Sequence, residues 1–222
     1  FMESMKQSSK QQLIILFLIM TVSLGMYHST VARTILDNAI NNTTYADATD
    51  MILAERWEQM KDENGAYTGK YIEPDYKRFA TMDFAKKYTR VYYDEDGYVT
   101  EGKTNRQSSD IMGIHTKEFG EMTFVDGNLN DKHYYEYLNE LAEVSDGVLV
   151  SSNYRDKLGY DIGDTLYLYN GKQVGTACKI VDFFDYFPGY APTKTTLSPD
   201  GTSKTEERFL AVTHYDLTRR EY

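Results

Sequence analysis

The chain has 222 residues, 41% hydrophobic and 26% charged, with a formal net charge of -10 and a single cysteine. That length suffices for one sizeable folded domain, or two small ones, beyond a short anchor. The acidic balance disfavours nucleic acid and anionic lipid as partners, and one cysteine excludes an internal disulfide.

The first element is an apolar run from Leu13 to Met26, lying inside a stretch from Gln11 to Ala32 that carries no charge. A helix of ~20 such residues rising ~1.5 Å each crosses a hydrocarbon core of ~30 Å, which predicts one transmembrane helix over 11–32. Lys6 and Lys10 precede it and Arg33 and Asp37 follow, which places residues 1–10 in the cytoplasm. Val31, Ile35, Leu36, Ala39 and Ile40 continue one apolar stripe, so a helical stalk is expected over 33–42, with residues 43–222 outside the membrane. Two other readings compete: a signal peptide cleaved after Thr30-Val31-Ala32, and a buried core helix.

Beyond the stalk, Ala48 to Trp57 alternates as a strand does, and Glu58 to Lys70 reads as a polar loop. Pro74 to Met82 reads as a helix with Asp75 in its first turn. Tyr88 to Tyr93 and Tyr98 to Thr100 read as a hairpin closed at Asp96-Gly97. Ile111 to Ile114 is a short strand, Thr116 to Glu121 a helical turn, Asp126 to Lys132 a loop. Tyr134 to Val144 follows as a helix with Tyr134, Tyr137, Leu138 and Leu141 on one side. Val148 to Val150 predicts a buried strand, followed by a short helix capped by Ser151 or Ser152 and stopped at Gly159. Thr165 to Tyr169, the Asn170-Gly171 turn and Gln173 to Phe184 form a second hairpin, within which Cys178 is a small buried hydrophobe. Pro188 to Glu207 is the segment expected to be mobile, and Phe209 to His214 supplies a last strand. Short strands and helices without a strict βαβ rhythm indicate an α+β domain.

No catalytic cluster emerges. Gly97 to Thr104 matches G-x-x-x-x-G-K-[ST] letter for letter, but Asp94-Glu95-Asp96 before it repels phosphate, and no apolar helix face follows. Asp94 to Gly97 and Asp126 to Asp131 each imitate part of a calcium loop without the closing glutamate. The four histidines are scattered, and there is no nucleophile elbow. No cofactor or metal is expected. The aromatic run from Phe183 to Tyr190 holds the candidate contact residues. A strand buries only alternate side chains, so some of Phe184, Tyr186, Phe187 and Tyr190 are expected to face a partner or cargo.

Several segments in order resemble the extracytoplasmic, MacB-like periplasmic core domain of the FtsX-like and MacB-like permeases of ABC transporters. They are the apolar helix leading into Thr30 to Leu36, Ile111 to Ile114 with Phe119-Gly120, Gly147 to Ser151, Leu158 to Leu166, and Lys179 to Phe183. The pairing of GVLVS, LGYDIGDTL and KIVDFFDYFP is the most specific part. The resemblance implies an α+β ectodomain at a bacterial plasma membrane, coupling ATP hydrolysis to export or extraction of amphipathic material or to transmembrane mechanical signalling. It implies as partners a cytoplasmic ABC ATPase, the remaining permease helices, and an accessory extracytoplasmic protein or amphipathic cargo. It implies no catalytic site in this segment. Later membrane helices and an ATPase are absent from the sequence, so it resembles part of a permease. The ectodomain of a single-span sensor or receptor, and an anchored surface hydrolase, remain as other readings.

Overall fold

The computed structural model describes residues 2–47, 49–82, 85–101, 105–123, 125, 129–169, 175–197 and 201–219. The chain divides into two compact units, Phe1–Thr44 and Tyr45–Tyr222. A single helix, α1 (Met2–Asp47), fills the first. Its stretch Gln11–Ile40 is long and apolar enough to cross a membrane, and its side chains are all exposed. Several polar groups of this stretch are met within the helix. The Thr21, Thr30 and Thr34 hydroxyls donate to the carbonyls of Phe17, Met26 and Thr30, and Arg33 pairs with Asp37 one turn on.

The second unit is mixed α+β. Two strands, β1 (Glu58–Lys61) and β2 (Tyr67–Ile72), form an exposed ribbon. They stand where a polar loop was expected, while of the strand expected over 48–57, Ala48 lies outside the described residues and 49–57 is irregular. The reason is local: the Asp62 carboxylate accepts from the Asn64 and Ala66 amides, and Gly65 takes φ +80°, which builds a turn. The helix expected from Pro74 is a 3-10 turn, Tyr76–Thr81, with Asp75 as its cap, accepting from the Lys77 amide.

The core is an eight-stranded curled sheet. Its strands are β3 (Val91–Asp94), β4 (Tyr98–Glu101), β5 (Asn105–Ser108), β6 (Asp110–Ile114), β7 (Gly147–Ser151), β8 (Thr165–Tyr169), β9 (Thr176–Phe184) and β12 (Leu210–His214). Between β9 and β12 the chain makes a second ribbon, β10 (Thr193–Leu197) with β11 (Ser203–Glu207). The sheet order is β3-β6-β12-β7-β9-β8-β4-β5, with β6–β12 and β7–β9 parallel and the rest antiparallel. The expected β3–β4 hairpin is therefore overturned. Asp96-Gly97 is not a reversal, because β3 and β4 run on as one arm of a longer hairpin whose other arm is β5 and β6. Val91 to Asp94 face Ile114 to Ile111, and Tyr98 to Glu101 face Ser108 to Asn105. One extra residue on the first arm makes a bulge at the corner, where the Ser109 amide donates to Gly97 O. The Asn170-Gly171 turn lies outside the described residues.

Alternation along the central strands fills both faces of the sheet. Val148, Val150, Ile111 and Ala211 point into one cluster with Val99, Leu166, Tyr154 and Cys178. Leu149, Met112, Leu210 and Val212 point into the other. That second face is covered by α2 (Thr116–Met122) and α3 (Tyr134–Glu143), which present Phe119 and the expected Tyr134, Tyr137, Leu138 and Leu141. A short helix, α4 (Asn153–Leu158), ends at Gly159, whose left-handed φ of +74° stops it as expected. Ser152 occupies the cap position without a side-chain bond, while the Ser151 hydroxyl reaches Asn153 and accepts from the Leu210 amide. A final helix, α5 (Tyr215–Arg219), follows β12, and the His214 ring Nε2 meets the Leu141 and Val144 carbonyls at the end of α3.

Two outcomes test this packing. Leu141→Ala, at a fully buried position, lowers the unfolding free energy by about 2–5 kcal/mol in urea titration followed by circular dichroism. Burial pushes the Cys178 thiol up to about 12, so at pH 8 iodoacetamide labels it only as the chain unfolds.

Candidate functional site

A bulge decides where the aromatic run goes. The β7–β9 register shifts between Val148 and Leu149, so that Val148 faces Ile180 and Leu149 faces Asp182, skipping Val181. The skip reverses the alternation of β9. Cys178 and Ile180 point into the first cluster, Phe183 joins them, and Phe184 turns to the helix side. Beyond β9, Phe187-Pro188-Gly189-Tyr190 forms a tight turn, with Gly189 at φ +77° and the Tyr190 amide donating to Phe187 O at 2.9 Å. The turn folds Phe187 back between the helices. Its ring lies 5.7 Å from Phe119, nearly parallel, 5.8 Å from Tyr134 and 5.0 Å from Phe184, while Tyr190 meets Phe184 edge-on at 5.8 Å.

Three of the four expected contact rings are therefore core. Phe184 is 1% exposed, Phe187 2% and Tyr190 4%, whereas Tyr186 is 40% exposed. Both faces of the sheet are covered, so alternation sends one ring to each core rather than one to solvent. Tyr186 is held in place by a residue that sequence reasoning did not single out. The Asn130 side chain accepts from the amides of Asp185 and Tyr186 at 3.1 and 2.9 Å and donates to Tyr186 O at 2.9 Å. One amide group thus pairs with the loop as a neighbouring strand would. Two residues on, Lys132 bridges Asp182 and Glu140, each at 2.6 Å. The hydrogen bonds it donates to Asp182 and then to Glu140 raise the Lys132 ammonium above the ordinary lysine range, against its own burial. This bridge joins the loop before α3 to α3 itself and to β9.

A second constellation mounts the β10–β11 ribbon, found where a mobile segment was expected. The Arg208 guanidinium pairs with Asp110 and donates to the Tyr93 hydroxyl at 2.7 Å, and that hydroxyl donates to Asp110 at 2.9 Å. The Arg208 carbonyl accepts from Asn153 at 2.7 Å and from the Tyr190 hydroxyl at 2.9 Å. Burial, then the Asp110 charge, raises the Tyr93 phenol, which stays a neutral donor. Lys157 pairs with Glu207, and Lys194 lies 3.7 Å from Glu95, so the base of the ribbon is tied to α4 and to the corner of the long hairpin. The ribbon strands themselves are exposed along their described length.

The remaining motifs do not assemble into a chemical site. In the phosphate-loop match, residues 102–104 lie outside the described residues, and the strand β5 follows where phosphate binding needs a helix N-terminus. Asp126, Gly127 and Asn128 likewise lie outside them, and Asp94, half-buried, accepts from the Asp96 amide in a simple turn. Burial raises its carboxyl, with that amide opposing. Among the described residues no group of three or more His, Cys, Asp or Glu side chains is placed to hold a metal ion. Compared with known protein families the chain matches none, and no curated protein matches it.

Proposed function

We propose that the chain is the extracytoplasmic part of an FtsX-like or MacB-like ABC transporter permease, anchored in a bacterial plasma membrane by α1. In this reading it couples ATP hydrolysis by a cytoplasmic ATPase to the movement of amphipathic material or to mechanical signalling. The observation that supports it most is the assembly of the three most specific resembling segments into one unit. Gly147 to Ser151 is β7, Lys179 to Phe183 lies in the parallel neighbour β9, and Leu158 to Leu166 runs from the end of α4 into β8, hydrogen-bonding β9 at Ile180. Within that connection the Asp161 amide donates to the Asp164 carboxylate at 2.8 Å. The Gly163 amide and Ile180 O, and the Ile180 amide and Asp164 O, are paired at the same distance. A helix long and apolar enough to cross a membrane precedes the unit in the chain. In this reading Tyr186 and the β10–β11 ribbon are the surfaces offered to an accessory protein or cargo.

Two experiments address it. Crosslinking the full chain in its own membranes and identifying the co-purified proteins yields an ABC ATPase and multi-span permease sequence. Recovery of a sensor kinase with no ATPase overturns the reading. Separately, Tyr186→Ala lowers the unfolding free energy by no more than about 1 kcal/mol, since Tyr186 is exposed and belongs to neither core cluster, yet lowers ATPase-coupled activity of the assembled permease. Asn130→Ala costs about 1–3 kcal/mol through its lost hydrogen bonds and lowers the same activity.

A further inference from the structure

The sheet ends at β3, whose outer edge pairs with no strand among the described residues. Two of its side chains are apolar and open to solvent, Val91 at 40% and Tyr93 at 37%. An exposed apolar edge is a template for a further strand. The chain also carries a stretch that suits such an edge. Met51, Ile52 and Leu53 are 58%, 64% and 56% exposed, and Ala54 after them is exposed as well. Successive apolar residues left in water mark a contact surface. They lie in an arm, residues 51–56, that is irregular where the sequence pattern predicts a strand.

Charge selects one direction and one register for the two to meet. The arm has Asp50 before it and Arg56 at its end, whereas β3 has Arg90 before it and Asp94-Glu95-Asp96 at its end. A parallel alignment with Met51 beside Val91 sets Asp50 beside Arg90, Leu53 beside Tyr93 and Arg56 beside Asp96. The antiparallel alignment sets Asp50 beside Glu95 instead. In the parallel one Glu55 meets Glu95, but Arg78 and Lys194 already balance these two charges. The arm does not take this place in its own chain. Trp57 packs against the first cluster with its ring 6.4 Å from that of Tyr92, whereas this register requires it beside Gly97, five residues or ~16 Å further on.

We propose that the arm of one copy adds as a parallel strand to the β3 edge of a second copy, and the arm of the second to the first. Four peptide steps, at most ~14 Å, separate Leu53 from Trp57, so with each Trp57 seated at its own Tyr92 the two β3 edges lie close together about a two-fold axis. The strand addition supplies main-chain hydrogen bonds, and the charges at both ends fix the register. The contact holds for a sensor as for a permease.

The full chain in its own membranes provides the test. Chains carrying Met51→Cys are co-expressed with chains of different size carrying Val91→Cys and oxidised with copper phenanthroline. Neighbouring strands lie ~4.8 Å apart, within the ~4.4–6.8 Å that a disulfide spans between Cα atoms, so this mixed pair is trapped at least about tenfold more than Met51→Cys with Leu158→Cys, an exposed position away from β3. Cys178 is buried and takes no part. In detergent micelles the full chain sediments as a dimer. Arg56→Glu raises its dissociation constant about three- to tenfold, because the two-fold contact contains the pair twice, and adding Asp96→Arg restores the original value. Leu53→Lys weakens the dimer at least about tenfold and leaves thermal unfolding unchanged, since Leu53 is exposed. A monomer in micelles, trapping no greater than with Leu158→Cys, a dimer indifferent to Arg56→Glu and Leu53→Lys, as one held by α1 alone is, or an arm crosslinked to a different protein overturns the proposal.

Discussion

One long hairpin, residues 91–114, imposes the shape of the folded unit. Its near half pairs β6 with β12, and its far half pairs β4 with β8, at the opposite end of the same ladder. A flat sheet cannot satisfy both pairings. The bulge at the corner, where Asp94 faces Ile111 and Tyr98 faces Ser108, lets the hairpin bend, and the bend obliges the sheet to curl. Gly97 suits this corner because an added Cβ would meet the Ile111 side chain at 2.7 Å and the Ser109 carbonyl at 2.9 Å. The same corner receives Arg208, so one place holds the hairpin, the start of β12 and the root of the β10–β11 ribbon.

Curling also explains why so few aromatic residues remain for contact. A curled sheet has one face turned toward its own strands, which the first cluster fills, and another that α2, α3 and the turn 187–190 cover. With both faces occupied, neighbouring residues on β9 are buried in turn on opposite sides. Phe183 and Phe184 are successive in the chain and belong to different cores. The rings of 183–190 therefore secure the joint between β9, α2 and α3, and Tyr186 stands out because Asn130 holds its backbone in the loop between Asp185 and Phe187.

Order is distributed unevenly along the chain, and the chemistry of each part sets its role in the proposed function. The sheet is held by apolar area, the surface loops by single side chains that satisfy backbone groups, and the segment entering β3 by ion pairs over aromatic rings. These three kinds of fastening respond differently to tension, salt and partner binding.

The sequence by itself determined the elements whose signal is local and periodic. The uncharged run of α1, the stripe Tyr134, Tyr137, Leu138 and Leu141 of α3, the stop at Gly159 and the apolar strands β6, β7 and β12 all follow from residue type and spacing. Tertiary structure decided what depends on distant partners. Nothing in Asp94 to Tyr98 states that β3 and β4 pair elsewhere, because the choice between a turn and a bent arm is made by β8 and β12. Among the residues whose burial is described, the polar ribbons β1–β2 and β10–β11 have none buried, and so show no alternation to read. The fate of Phe184, Phe187 and Tyr190 rested on a skipped residue at Val181 and on helices that arrive from fifty residues earlier, as Asn130 does to reach Tyr186. Periodicity reports that a side chain is apolar. Only the folded chain supplies the surface it meets.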